Sequence, residues 1–136
     1  MYLVDTSVWV DYLQGRETPA VELLDELLDN PVAVFLCDQV YLEILQGARD
    51  QAFFKRYQRY FSGQQFCSFE NSRESHAHAA RVYFDCRRKG ITLRSSIDCL
   101  IARCAVENDL TLLHNDRDYL AMQPVLKGLR QCHFFH

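Results

Sequence analysis

The sequence contains no apolar run that approaches the roughly 20 residues needed to cross a bilayer. Its longest apolar stretches are cut within a few residues by Asp, Glu, Arg or Gln. It also lacks the basic start, apolar middle and small-residue cleavage site of a secretory signal, since Met1 leads at once through Tyr2-Leu3-Val4 to Asp5. A cytoplasmic protein without a membrane segment is expected. With 5 glycines and 3 prolines in all, no stretch is rich enough in either to serve as a linker, and no repeat or low-complexity tract divides the chain. A single domain over residues 1–136 follows. The six cysteines include no C-x-x-C pair and stand among apolar neighbours, which speaks against a zinc site and for small core residues in a reducing compartment.

What is present suits one substantial core, with 49% of residues hydrophobic and 12% aromatic. The net charge of -3 conceals a division: Arg49 to Arg94 carries ten Lys/Arg against four Asp/Glu, net +6, and the remainder five against fourteen, net -9. A phosphate-gripping surface beside a metal-binding one would show this distribution, and so would solvated helix faces.

Short apolar runs alternate with helical patterns. Tyr2-Leu3-Val4, Val32 to Cys37 and Leu110 to His114 read as buried parallel strands, and Gln131 to Phe135 as a last one. Helices are expected from Thr6 towards Leu13, from Thr18 to Asp29, after Asp38 as N-cap, from Asn71 or Ser72 to the basic Arg87-Arg88-Lys89 before Gly90, and from Ser95 onward. Phe53 to Phe61 is a helical aromatic pattern with Lys55, Arg56 and Arg59 between. It reads as a sticky hairpin for a protein contact, or as core packing, the reading preferred for Phe54 and Tyr57. The whole predicts a three-layer α/β/α fold with a mostly parallel central sheet.

In such sheets ligands gather beyond the carboxyl ends of the strands. Asp5 and Asp116 each follow a strand, and Glu43 and Asp98 lie near the starts of helices that begin on the same edge. Two carboxylates about 4 Å apart repel by about 4 kcal/mol at an effective dielectric near 20, and a divalent cation removes the conflict. All-oxygen ligation selects Mg²⁺ or Mn²⁺, which would acidify water for attack on phosphorus. Each acid also has a plainer reading: Asp5 as an N-cap, Glu43 as a solvated helix residue, Asp98 as the far end of a capping box from Ser95, Asp116 and Asp118 as turn formers. His76, His78 and His114 offer an alternative acid-base or metal set, disfavoured because His76 and His78 point to different helix faces and His114 ends a strand. Arg94 and Arg117, beside the acids, are candidates for phosphate contact.

The segments Leu3-Val4-Asp5-Thr6-Ser7-Val8-Trp9, Tyr41-Leu42-Glu43-Ile44-Leu45-Gln46-Gly47, Ser96-Ile97-Asp98-Cys99-Leu100-Ile101-Ala102 and Leu113-His114-Asn115-Asp116-Arg117-Asp118-Tyr119 together resemble the PIN-domain ribonucleases, and among them the VapC toxins of bacterial toxin-antitoxin pairs. The resemblance implies an Mg²⁺-dependent endoribonuclease with Asp5, Glu43, Asp98 and Asp116 as metal-binding and catalytic carboxylates. It further implies Asp118 as an additional acid, Thr6 or Ser7 as a water-orienting hydroxyl, a homodimer, a VapB-like antitoxin partner, and a structured target such as transfer or ribosomal RNA. Tyr119 stands where the family more usually has Phe, a departure expected to leave the chemistry untouched. The alternatives are an inactive PIN-like module that binds RNA or protein, and another Mg²⁺-dependent α/β phosphohydrolase. Asp5-Thr6-Ser7 lacks the second aspartate that a haloacid-dehalogenase phosphatase needs, and no lysine late in the sheet supports a receiver domain.

Overall fold

The computed structural model describes residues 1–136. In chain order its elements are β1 (Tyr2–Val4), α1 (Thr6–Leu13), α2 (Pro19–Leu27), β2 (Val34–Leu36), α3 (Asp38–Gln46), α4 (Gln51–Ser62), β3 (Gln65–Phe66), α5 (Ser72–Arg88), α6 (Ser96–Glu107), β4 (Thr111–Leu113), α7 (Arg117–Met122) and β5 (Gln131–Cys132). The sheet runs β3-β2-β1-β4-β5 and every pairing is parallel, with Leu3 opposite Phe35 on one side and Leu112 on the other. The chain moves from β1 outward to β3, then crosses back to β4 on the far side of β1. Right-handed crossovers therefore put α1–α4 on one face and α5–α7 on the other. Order reverses between β1 and β4, and such a switch point opens a crevice beyond the strand ends.

The central strands are short and buried on both faces. Leu3, Val4, Leu36, Leu112 and Leu113 lie wholly inside, which is why they read as unbroken apolar runs. Trp9 packs edge-on against Phe61, with ring centroids 4.9 Å apart, and so ties α1 to α4.

Local chemistry sets the ends of the helices. Thr18, Asn71 and Ser95 cap α2, α5 and α6 through side-chain oxygens that accept from Val21, Glu74 and Ile97 N–H. Gly90, at φ +78°, turns the chain out of α5 in a conformation that side-chain-bearing residues disfavour.

Several expectations are corrected. Asp38 is the first residue of α3 rather than its cap, a place taken by Cys37 without a side-chain bond. Strand pairing is narrower than the apolar runs, because the chain is still turning through Pro31 and Val32 and because β5 ends at Cys132. Phe53 to Phe61 lies within α4, which packs on α3. There Phe61 is buried and Tyr57 rests against the core, but Phe54 is 41% exposed and packs no core.

Candidate active site

Five acidic side chains meet at the carboxyl ends of β1 and β4. Asp5 directly follows β1, and its N–H continues the ladder by donating to the Leu113 carbonyl at 2.9 Å. Its side chain, 3% exposed, caps α1: Oδ2 accepts from Ser7 N–H at 3.0 Å and from Ser7 Oγ at 2.6 Å. Ser7 Oγ in turn accepts from Asn115 N–H at 2.9 Å, which fixes the turn after β4 against the start of α1. Thr6 Oγ1 donates to Glu43 Oε1 at 2.7 Å, so α1 also orients the acid that α3 brings in.

Asp98 lies in the first turn of α6 and is 8% exposed. It forms no capping box: Ser95 caps alone, and the polar neighbour of Asp98 Oδ1 is the Tyr119 hydroxyl at 3.5 Å. Asp116 caps α7 by accepting from Asp118 N–H at 2.9 Å. One oxygen each from Asp5, Glu43 and Asp98 lie within 4.8 Å of one another, as do oxygens from Asp98, Asp116 and Asp118. Asp98 is common to both groups.

This crowding shifts protonation. Burial, followed by the charges of Asp5, Asp116, Glu43 and Asp118, pushes the Asp98 carboxyl up to about 7. Burial also raises Glu43, with smaller contributions from Asp5 and Asp116, against the lowering effect of its bond from Thr6. An all-oxygen set that resists simultaneous ionisation is the donor chemistry a hard divalent cation satisfies, so the residues fit such an ion.

Arg94 and Arg117 are placed differently. The Arg94 side chain is 72% exposed, yet it spans the outer acids, with Nη2 donating to Asp116 at 2.5 Å and Nε to Asp118 at 3.3 Å. Its backbone N–H donates to Asp118 at 2.9 Å. Arg117 lies over the Phe135 ring, 4.4 Å from its centroid. No histidine joins either oxygen group. His114 is buried behind the site, where Nδ1 accepts from Asp116 N–H at 3.2 Å and Nε2 pairs with Gln131 Oε1 at 2.7 Å. Burial lowers its pKa, so it serves as a neutral strut.

Sequence reasoning missed the Tyr119 hydroxyl, which donates to Asp5 Oδ1 at 2.6 Å. It also missed the Arg94 pairing. Tyr119 one helical turn after Asp116 was the available signal, but an aromatic at that spacing reads first as core.

A family model described as the PIN domain matches residues 2–123. Ribonuclease VapC11 of Mycobacterium tuberculosis (strain ATCC 25618 / H37Rv) is 33% identical over 120 residues, covering 88% of this chain and 89% of its own length. Ribonuclease VapC19 of the same strain is 31% identical over 128 residues, covering 93% and 98%. Among solved structures, VapBC2 from Rickettsia felis, bound to a promoter DNA fragment, superposes with a TM-score of 0.74 at 17% identity over 98% of both chains. VapBC-5 of Mycobacterium tuberculosis, from the VapBC family of toxin-antitoxin systems, gives 0.64 at 16% identity, again over 98% of each. At these identities the structural likeness concerns the fold.

Proposed function

The chain belongs to the PIN-domain family, among its VapC ribonucleases, and on that footing we propose that it is an endoribonuclease dependent on Mg²⁺, or Mn²⁺ in its place. The observation that carries this reading is the meeting of Asp5, Glu43, Asp98, Asp116 and Asp118 in two overlapping oxygen groups at the sheet's switch point. Asp5, Glu43 and Asp98 would hold an ion, with Asp116 and Asp118 completing the pocket. A divalent cation there supplies charge against the phosphoryl oxygens and acidifies the attacking water.

The chain's own residues do the remainder. Thr6 and Ser7 fix Glu43 and Asp5 and order the water around them. Glu43 Oε2, the oxygen not engaged by Thr6, takes the proton as the water oxygen bonds to phosphorus; the bond to the ribose oxygen breaks, and that oxygen leaves as a hydroxyl by taking a proton from solvent water. Arg94 and Arg117 contact phosphates at the rim, Arg94 through the guanidinium N–H groups that Asp116 and Asp118 leave free.

The substrate is a structured RNA such as transfer or ribosomal RNA. The protein works in the cytoplasm as a homodimeric toxin restrained by a VapB-like antitoxin, and no helix is long and apolar enough to cross a membrane. Exposed Phe54 and Tyr60 on α4 supply an apolar face for such a protein contact. Purified protein should cleave RNA with Mg²⁺, and lose cleavage by at least a hundredfold with EDTA or after Asp5→Ala. Cleavage that survives both treatments overturns the reading.

A further inference from the structure

Tyr119 carries its hydroxyl into the acidic cluster, and its ring is wholly buried. Its hydroxyl stands between the two innermost acids, 2.6 Å from Asp5 Oδ1 and 3.5 Å from Asp98 Oδ1. An ionised carboxylate offers about four acceptor positions. On Asp5 three are filled, by Ser7 N–H and Ser7 Oγ on Oδ2 and by the phenol on Oδ1. The position left open is on Oδ1, the oxygen that Tyr119 holds.

The phenol is itself held rigidly. The Tyr119 carbonyl accepts from Gln131 Nε2 at 3.0 Å. Its ring lies against His114, with centroids 4.8 Å apart, and His114 is clamped between Asp116 N–H and Gln131. A hydroxyl so fixed sets the direction in which Asp5 presents its last lone pair.

We infer that Tyr119 is a positioning residue for divalent-ion binding, in which its hydroxyl holds Asp5 Oδ1 in the ligating orientation. The inference rests on the metal-nuclease reading above. A phenylalanine would fill the same space, so the hydroxyl alone carries the effect. Loss of a partner that orients a ligand commonly costs 10–100-fold in metal affinity.

The test is a Mn²⁺ titration, followed by electron paramagnetic resonance of the free ion, on full-length wild type, Tyr119→Phe and Asp5→Ala, each checked for a cooperative melt in EDTA. Tyr119→Phe is expected to bind Mn²⁺ about tenfold more weakly, and its RNA cleavage should recover as Mn²⁺ is raised. A purely packing role would move the melt in EDTA and leave Mn²⁺ affinity in place. Unchanged or tighter binding by Tyr119→Phe, with wild-type binding abolished by Asp5→Ala, overturns this inference alone. Wild-type protein that binds no Mn²⁺ would overturn the metal reading and this inference with it.

Discussion

The conflict within the site concentrates on Asp98. Its carboxyl titrates at about 7 in the folded chain, through burial first and neighbouring acids second, against an ordinary value near 4 when unfolded. Between those values the folded state binds a proton that the unfolded state does not, so stability without metal falls as pH rises through that window. The penalty is absent below about pH 4, complete above about pH 7, and amounts to a few kcal/mol. Asp98→Asn removes it. In EDTA at pH 8 the variant should melt above wild type, and the difference should shrink by pH 5. A lower melt at pH 8 would mean that the helix start, rather than charge relief, dominates at this position.

The meeting of the acids was legible in the sequence because Asp5 and Asp116 follow strands and Asp98 opens a helix on one rim, whereas Glu43 comes from the second turn of α3 rather than its start. The Tyr119 hydroxyl and the Arg94 pairing were not. Both are contacts between distant segments, Tyr119 with Asp5 across 114 positions and Arg94 with Asp118 across 24, and neither residue type announces its partner.

Among the elements, α5 joins the basic middle of the chain to the site. Its buried side carries Ser75, Ala79, Val82 and Cys86, so the opposite side presents Arg73, Arg81, Phe84, Arg87 and Arg88, all exposed. The guanidiniums of Arg81, Arg87 and Arg88 lie 5.4–5.7 Å from the centre of the Phe84 ring. Residues 90–95 then lead directly into the turn that bears Asp98. An RNA strand entering the site over this helix would release counterions, and each lost phosphate contact lowers the salt slope of binding by about one. With cleavage disabled by Asp5→Ala, adding Arg81→Gln and Arg88→Gln should lower the slope of log K against log[salt] by about two. An unchanged slope would place the RNA elsewhere.

Element type was readable wherever the apolar period was clean, as in α2, α5 and α6. Strand extent was not, because pairing depends on how far a neighbour runs alongside, and β3 and β5 pair over two residues each. Phe54 shows the same limit on a helix: its spacing fits a core position, but α4 turns that side to solvent.

For the molecule as a whole, the sheet's order reversal brings five acids to one rim, and below neutral pH the fold tolerates them by leaving Asp98, raised to about 7, protonated. Binding of a cation must therefore displace that proton, which links affinity to pH. At pH 8 the proton is already gone, and an ion at about 100 times its Kd stabilises the folded state by about 2.7 kcal/mol. For a domain of this size that raises Tm by roughly 10 °C. At pH 5, about two units below the Asp98 value, deprotonation costs about a hundredfold in apparent affinity, and the same Mg²⁺ concentration should raise Tm by only about 1–2 °C. Scanning calorimetry with Mg²⁺ and with EDTA at the two pH values measures this directly. Equal Mg²⁺ shifts at pH 5 and pH 8 would show that the ion is held without Asp98, and would separate the crowding of these acids from any role in metal binding.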